Sequence, residues 1–488
     1  MTGRAIIQSV ARYSRPAAAI LLFLAVVVLL ATPVITVPVL IPKNYNEGWN
    51  AFQALRAMGD GSLYPDRSAL VTNNYPPLSF YVVGALGSLN GDNIIAGRLI
   101  ALFSFVTVAV VIYAITRNIS GSRYAGLIGS LVFAGYLAGL HPGYIGMNDP
   151  QWLAQAIMIM ALMLALSNAK SISHAYLWLV VLIALASGMT KHNLVAFPLA
   201  MTIWLLLHDR RGLYVWIAVS SLVLVASFGA LYVAYGPEFF QNIFGFHRTY
   251  SPDDITRQLK RWAIPLLPLI GAFVAFVFLE PPGRSKHLLV IYTVVAAAWG
   301  TYALGGAGVN MNVMYDMMIG LSIVAGLAVH RIGERFGHVC PRGLVEAAAA
   351  VLVAGGMLAA VPRQVLAMPA TLADLHSHES RVASDVKYIA SIEGPVACES
   401  LALCYWAHKP FEFDMFAVGQ KLESGVLRKD AFNGVIEAHY FKSIQMYGRT
   451  TNRLPEFAME SIRRNYDLAP KSGDQTFLLP RTSPARRD

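Results

Sequence analysis

Residues 16–38 read PAAAILLFLAVVVLLATPVITVP, an almost continuous apolar run. An α-helix needs about 20 apolar residues to cross a hydrocarbon core about 30 Å thick. The run is longer than the core of a secretory signal peptide, and no small-x-small cleavage site stands out within it. We therefore predict that this run is a retained first membrane span.

The rest of the chain repeats this apolar pattern. Hydrophobic residues make up 56% of the 488 residues and charged residues only 14%, which is too little charge to solvate a soluble protein of this length. We therefore predict a polytopic α-helical membrane protein with about eleven spans. The predicted spans are residues 16–38, 93–116, 124–140, 150–167, 174–189, 194–207, 213–235, 262–279, 288–304, 314–330 and 343–361.

Basic residues are concentrated in the short turns between these spans. The formal net charge is +10, but its placement follows the positive-inside pattern of membrane proteins and not a nucleic-acid-binding surface. The basic residues of the predicted inner turns are Arg4, Arg12, Arg15, Arg117, Arg123, Lys170, Arg210, Arg211, Arg284, Lys286, Arg331, Arg335 and Arg342. We therefore expect a cytoplasmic amino terminus and no nucleic-acid partner.

The opposite, exoplasmic side is expected to carry a long first loop, residues 39–92. Asn46 is predicted to cap a helix that starts at Glu47 and ends near Met58. The second apolar stretch, 78–89, is short for a span and is expected to lie at the membrane interface. This loop completes a predicted transmembrane domain of residues 1–369.

The C-terminal part has an ordinary soluble composition. Residues 370–480 predict a small α/β exoplasmic domain with strands near 395–398 and 475–479 and a helix at 431–441. Residues 481–488 form a basic tail that we expect to be disordered. Cys398 and Cys404 could pair if this domain lies outside the cytosol, while three cysteines match no metal-site spacing.

Polar residues gather at four places on the predicted outer side. They are Glu47 within NYNEGWN (44–50), Asp149 after the glycine-rich segment 143–148, Lys191-His192-Asn193, and Asn310 and Asn312 within GGAGVNMN (305–312), followed by Asp316. Each has a structural alternative. Glu47 suits the first turn of a helix, and Asp149-Pro150 suits a helix start. Lys191 could extend its ammonium to the interface, and segment 305–312 could be a flexible turn.

Two carboxylates and one lysine on the same membrane side suit the transfer of a sugar from a lipid phosphate. A carboxylate accepts the proton of the acceptor hydroxyl, and a cation stabilises the negative charge on the leaving phosphate. No segment resembles a nucleotide-sugar site, a Walker loop or a nucleophile elbow. The sequence shows no convincing metal cluster, so a divalent metal is possible but not indicated, and no cofactor is expected.

In these features the chain resembles the GT-C superfamily, the integral-membrane glycosyltransferases that use polyprenyl-phosphate sugars. The likeness is to the branch that contains Rgt-type lipopolysaccharide transferases, lipid A aminoarabinose transferases and protein O-mannosyltransferases. It rests on Tyr45-Asn46-Glu47-Gly48, Tyr64-Pro65, Asn74-Tyr75-Pro76-Pro77, Asn148-Asp149-Pro150, Lys191-His192-Asn193, segment 308–312 and the tail around 397–403. Many members have Asp, or an Asp-Glu pair, where this chain has Asn46-Glu47.

The resemblance implies a role for each candidate residue. Glu47 would be the general base of an inverting transfer, and Asp149 would bind the acceptor or orient the base. Lys191 would bind the donor phosphate with His192 nearby. The remaining expected substrate-binding residues are Tyr75, Asn193, Asn310, Asn312 and Asp316.

The resulting hypothesis is a multi-pass glycosyltransferase of the bacterial inner membrane with a periplasmic active site and C-terminal domain. Its donor would be a polyprenyl-phosphate-linked sugar, and its acceptor a cell-envelope glycan, a lipid or a protein. The alternatives are a transporter or flippase of lipid-linked sugars and an oligosaccharide ligase or polymerase. A transporter needs polar groups near the mid-depth of several spans, whereas here they gather at one end. A ligase or polymerase shares the same side and lipid chemistry and stays open.

Overall fold

The computed structural model of the chain describes residues 3–169, 173–469 and 475–481. The helices up to the first C-terminal strand are α1 (Gly3–Ile35), α2 (Tyr45–Ala57), α3 (Leu78–Asn90), α4 (Asn93–Ser120), α5 (Arg123–Leu140), α6 (Gln151–Ser167), α7 (His174–Thr190), α8 (Ala196–His208), α9 (Arg210–Phe244), α10 (Pro252–Leu279), α11 (Arg284–Ala303), α12 (Tyr315–Phe336), α13 (Arg342–Val353), α14 (Gly355–Leu358) and α15 (Val361–Ser391). Lys170 and residues 482–488 of the predicted tail lie outside the described residues.

The prediction of a polytopic helical membrane protein is confirmed. Within the described residues, six helices are long and apolar enough to cross a membrane, and α13 with the bent segment that follows it would make a seventh. Four shorter apolar helices are α3, α6, most of α7, and α8. Ten of the predicted spans each coincide with one helix, and the span 343–361 is divided between α13 and α14 and ends at the start of α15. The number of helices that cross the bilayer stays a prediction.

Helix α12 lies at the centre of the bundle. It packs against α4, α5, α10, α11 and α13, and its residues from Tyr315 to His330 are all buried. This explains why segment 317–329 is almost entirely apolar, since a helix surrounded by other helices has no polar face. Helix α1 packs against α5 and α13 on one side of this centre.

The first outer loop contains α2 and α3, as its apolar spacing predicts, but the predicted cap is wrong. Asn44 caps α2 by accepting a hydrogen bond from Asn46 N at 3.1 Å, so the helix begins at Tyr45 and not at Glu47. Both asparagines satisfy the sequence rule for an N-cap. Tyr45 is already helical and its hydroxyl donates to Asp414, a contact with a distant segment that the local sequence does not reveal.

The C-terminal part forms a small mixed sheet with short helices. Its elements are β1 (Val396–Cys398), α16 (Leu401–Trp406), α17 (Met415–Glu423), α18 (Lys429–Glu437), β2 (Ser443–Met446), α19 (Glu456–Asn465), β3 (Tyr466–Leu468) and β4 (Thr476–Pro480). The strand order is β1-β2-β4-β3, with β1 parallel to β2 and the other pairs antiparallel. The predicted strands correspond to β1 and β4, and the predicted helix to α18. Cys398 and Cys404 form a disulfide, and the domain boundary predicted after residue 369 falls within α15.

The sheet and the first outer loop share one hydrophobic core. Trp49 and Phe52 of α2 cluster with Ile389 of α15 and Leu401 of α16. At Gly48, an added Cβ would lie 2.1 Å from the backbone nitrogen of Ala402. Glycine is therefore required where α2 crosses α16, and this close approach fixes the C-terminal domain over the first loop.

Candidate active site

Glu47 lies at the centre of a buried hydrogen-bond network. Its carboxylate is fully buried and forms a bidentate ion pair with Arg98 of α4, with Nε and Nη2 each 2.7 Å from an oxygen. Backbone N–H groups of Lys43 and Asn148 also donate to it, at 2.7 and 3.1 Å. Arg98 is equally buried and donates to the carbonyl oxygens of the segment at residues 37–41.

This network joins three chain segments to α4, the helix that carries Arg98. The segment after α1, the start of α2 and the loop before α6 all meet at the Glu47–Arg98 pair. Each oxygen of Glu47 already accepts two hydrogen bonds, so the acceptor positions of this carboxylate are occupied. The base role expected for Glu47 is not tested by this geometry, but the geometry favours a positioning role.

Asp149 and Lys191 form a second buried ion pair, with Nζ 2.7 Å from Oδ1. Oδ1 also accepts from Gln151 N at 2.8 Å, which starts α6 as the Asp-Pro pattern predicts. Oδ2 is buried and has no hydrogen-bond partner among the described residues. Asp149 is thus a helix-start residue that also carries an unsatisfied carboxylate oxygen. A buried oxygen of this kind destabilises the fold unless a ligand or a water molecule donates a hydrogen bond to it.

The Tyr75 ring lies between the side chains of Lys191 and His192. The Lys191 ammonium lies 4.9 Å from the centre of the Tyr75 ring, and the Tyr75 and His192 rings are 6.1 Å apart. Burial acts to lower the pKa of Lys191, but the Asp149 carboxylate outweighs it, so the pKa is raised and the lysine is charged. The structure therefore places Asp149, Lys191, Tyr75 and His192 in a row of successive neighbours.

An apolar groove ends at His192, the last residue of this row. It has a volume of about 640 Å³ and runs between α7, α8 and α9. Apolar side chains such as Val181, Leu199 and Phe228 form most of its wall, while Pro76 and His192 stand at its polar end.

A smaller polar chamber lies beyond Tyr75, between the first loop and the C-terminal domain. It has a volume of about 70 Å³. Its wall includes Tyr45, Asn46, Trp49, Asn74, Tyr75, Arg248, Asp414, Phe416 and Arg453. The carboxylate of this wall is Asp414, and burial raises its pKa. Asp414 also caps α17 by accepting from Ala417 N at 3.0 Å.

Sequence reasoning missed Arg248, Asp414 and Arg453. Arg248 lies in the connection between α9 and α10 and makes no ion pair with a described residue. Its guanidinium lies 5.5 Å from the centre of the Phe416 ring. Arg453 lies 4.0 Å from the centre of the Tyr45 ring. No sequence motif surrounds any of these three residues. The one signal that the sequence offered was the presence of a basic residue, Arg248, in a predicted outer connection.

The asparagine-rich segment divides between two clusters. Asn310 accepts a hydrogen bond from Met311 N at 2.8 Å. Nearby, the His141 ring hydrogen-bonds to the Tyr315 hydroxyl at 2.7 Å and stacks on the Tyr144 ring, with 4.5 Å between the ring centres. Burial lowers the pKa of His141 to about 4, so this ring is neutral near pH 7.

Among the expected site residues that line neither the groove nor the chamber, Asn193, Asn312 and Asp316 contact neighbouring helices. Asn312 donates to Gln151 at 3.1 Å. Asp316 accepts from Tyr292 at 2.8 Å and from Gln155 at 3.1 Å. Asn193 bonds through its carbonyl oxygen to Trp299 at 2.9 Å. These residues support the packing of α6, α11 and α12 around the site, and their substrate-binding role stays a prediction.

Comparisons with known proteins concern the family and the fold of the chain. Residues 74–235 match the family described as dolichyl-phosphate-mannose-protein mannosyltransferase, a segment that contains Tyr75, Asp149 and Lys191. No curated protein sequence matches the chain.

Solved structures are similar across almost the whole chain. ArnT from Cupriavidus metallidurans in the apo state superposes with a TM-score of 0.61 at 14% identity, covering 88% of this chain and 92% of that one. The same protein bound to undecaprenyl phosphate gives 0.59 at 14% identity, over 94% and 98%. The apo oligosaccharyltransferase of Archaeoglobus fulgidus gives 0.58 at 11% identity, over 97% and 75%. At identities of 11 to 14%, this structural similarity shows that the fold is shared.

The family match and the fold supply separate parts of the evidence. The family match covers the span ends that contain Asp149 and Lys191. The structural similarity covers the helical bundle and its C-terminal sheet. Together they confirm the resemblance drawn from the sequence: the chain is a GT-C membrane glycosyltransferase, the class that takes its sugar from a polyprenyl-phosphate donor.

Proposed function

We propose that this glycosyltransferase moves a sugar from a polyprenyl-phosphate donor to an exoplasmic acceptor with inversion, at the junction of groove and chamber. The observation that carries the proposal is the meeting of an apolar groove of about 640 Å³ with a polar chamber at Tyr75 and His192. A lipid-linked sugar needs such a site, since its chain must stay in an apolar phase while its sugar meets a hydrophilic acceptor.

The groove suits the polyprenyl chain. Its wall is mostly apolar, and it lies between the helices α7, α8 and α9. The similar fold of ArnT, which has been solved bound to undecaprenyl phosphate, supports the same class of ligand here. In this proposal the chain enters between α7 and α9 and ends at His192.

Lys191 and Arg248 supply positive charge for the donor phosphate. Lys191 is held by Asp149 beside the Tyr75 ring, and Arg248 stands with Tyr75 on the chamber wall. Charge-assisted hydrogen bonds from both would stabilise the negative charge that gathers on the phosphate as its bond to the sugar breaks.

Asp149 is the general base of this proposal, and Glu47 positions it. Glu47 fixes the loop before α6 through Asn148 N, while Asp149 keeps Oδ2 free of hydrogen bonds. The acceptor oxygen attacks the anomeric carbon, and its proton passes to Oδ2. The bond from that carbon to the phosphate oxygen breaks, and its electron pair leaves with the polyprenyl phosphate. A single displacement of this kind inverts the anomeric configuration.

The polar chamber suits the acceptor. Aromatic rings of Tyr45, Trp49 and Phe416 offer faces for a sugar ring, and Asn46 and Asn74 offer amide hydrogen bonds. The disulfide between Cys398 and Cys404 supports an oxidising, exoplasmic location for this domain. The proposed setting is therefore the periplasmic face of a bacterial inner membrane.

The donor groove is tested with undecaprenyl phosphate and two matched glycine variants. An added Cβ meets nothing within 4 Å at Gly188 or at Gly271, but only Gly188 lines the groove. Undecaprenyl phosphate should raise the melting temperature of the wild type and of Gly271→Phe, and should leave Gly188→Phe unchanged. Equal stabilisation of both variants would place the lipid elsewhere.

The base is tested by Asp149→Asn with Asp92→Asn as the control. Asparagine keeps an oxygen for Lys191 and Gln151 N but cannot take the proton, so release of undecaprenyl phosphate from undecaprenyl-phosphate sugars should fall by about 10²- to 10⁴-fold. Asp92 caps α4, and asparagine caps as well as aspartate, so that variant should keep its turnover. Normal turnover by Asp149→Asn would exclude it as the base.

A further inference from the structure

A second large cavity lies at the end of the bundle opposite the chamber. It is an open cleft of about 730 Å³ at the beginnings of α1, α5 and α13. Three arginines, Arg12, Arg15 and Arg342, line it together with Tyr124 and Leu127. None of these residues lines the donor groove or the chamber, so the proposed transfer reaction leaves this cleft unexplained.

The charges around the cleft do not cancel. Arg15 and Arg342 both pair with one buried carboxylate, Glu346. Glu334 lies 3.6 Å from Arg342 but is held at 2.5 Å by Arg331. Arg12 is exposed and forms no ion pair with any residue of the described part of the chain. The cleft therefore has an excess of positive charge.

The remaining wall of the cleft is apolar. Ala19 of α1 and Leu127 of α5 line it, and both belong to helices apolar enough to span a membrane. From Arg12 to Ala19 the helix rises about 10 Å at 1.5 Å per residue. That is the depth over which lipid headgroups give way to acyl chains.

We propose that this cleft binds an anionic glycerophospholipid. Its phosphate would contact Arg12 and Arg342, and an acyl chain would lie against Ala19 and Leu127. Basic pockets between transmembrane helices are suited to such headgroups, because a guanidinium pairs with phosphate where the membrane excludes water. A free phosphate ion would leave the apolar half of the cleft uncovered, so the lipid is the better fit.

The test measures the melting temperature of the purified full chain in neutral detergent with added phosphatidylglycerol. The wild type should gain a shift of about 2 °C or more. Phosphatidylcholine and inorganic phosphate should each produce less than half of that shift. A comparable shift with phosphatidylcholine would show non-specific lipid binding, and a comparable shift with inorganic phosphate would show an anion site only; either result overturns the proposal.

Matched arginine variants distinguish lipid binding in the cleft from non-specific attraction by other basic residues at the same end of the bundle. Arg12→Gln should lose the phosphatidylglycerol shift, and Ala19→Phe should reduce it by filling the apolar half. Arg335 is exposed near the same end of the bundle but does not line the cleft, so Arg335→Gln should keep the shift. Retention of the full shift in both Arg12→Gln and Ala19→Phe would overturn the proposal. Since none of these residues touches the groove or the chamber, the result is independent of the proposed reaction.

Discussion

Replacing Glu47 by glutamine separates a positioning role from a catalytic one. The change removes the negative charge that compensates Arg98, a side chain with no exposed surface. In the wild type the two carboxylate oxygens accept four hydrogen bonds, from Arg98, Lys43 N and Asn148 N. Glutamine replaces one of these oxygens by an amide N–H₂ group, which donates and cannot accept. Breaking a buried ion pair in this way costs about 3–5 kcal/mol, a large share of the 5–15 kcal/mol typical of a folded protein.

The assay compares unfolding in detergent with sugar transfer. Glu47→Gln should melt well below the wild type, and a double-mutant cycle with Arg98→Gln should give a coupling energy of about 2–3 kcal/mol. The control is Glu379→Gln, because Glu379 accepts one hydrogen bond from Leu40 N in an exposed setting. It should cost less than about 1 kcal/mol.

The decisive comparison is turnover at a temperature where each variant is folded. If Glu47 positions the loop, folded Glu47→Gln should keep measurable transfer, while Asp149→Asn should lose it. A Glu47→Gln protein with wild-type melting and no turnover would refute this reasoning and restore Glu47 as the base.

Three further predictions concern other parts of the fold. Gly48→Ala should destabilise the contact between α2 and α16 by about 1–3 kcal/mol, because its Cβ would meet the backbone of Ala402. Limited proteolysis should then release the C-terminal domain faster than in the control Gly434→Ala, where an added Cβ meets nothing within 4 Å. Without reductant, alkylation should label Cys340 and spare Cys398 and Cys404, and replacing both disulfide cysteines by serine should cost about 2 kcal/mol in thermal unfolding. The unfolding free energy should fall by roughly 1–2 kcal/mol as the pH drops from 7 to 5, since the unfolded chain binds a proton at His141 near pH 6.5 while the pKa in the fold is about 4; His141→Asn should flatten this dependence, and an unchanged slope would contradict it.

Much of the fold could be predicted because membrane helices are specified locally. An apolar run such as 16–38 must pair its backbone groups within itself in lipid, which leaves only the helix. The strands near 396 and 476 could be recognised for a similar reason, since short β-branched and aromatic runs bounded by turn residues are a local signal. The cap of α2 could not be predicted, because Asn44 and Asn46 satisfy the same local rule for an N-cap, and the contact of the first helical residue, Tyr45, with Asp414 joins segments far apart in the chain.

The candidate site could be predicted only in part. The sequence predicts Asp149 and Lys191 as polar residues at the ends of apolar spans, and the family resemblance adds Tyr75; the structure places the three next to one another. Arg248 and Asp414 come from segments about 100 to 265 residues away from Asp149 along the chain and carry no motif, so nothing in their surroundings linked them to the chamber.

The sequence by itself determined the class of this protein: a helical membrane chain whose polar chemistry gathers on one side. It did so because lipid imposes strict rules on composition, span length and charge placement that a single chain displays openly. Only the tertiary structure decided which carboxylate is free. Glu47 and Asp149 have equally plausible local motifs, but Arg98, fifty-one residues from Glu47, occupies both oxygens of one, while Lys191 leaves an oxygen of the other without a partner. Hydrogen-bond partners of this kind are set by packing between distant helices, which no local pattern records.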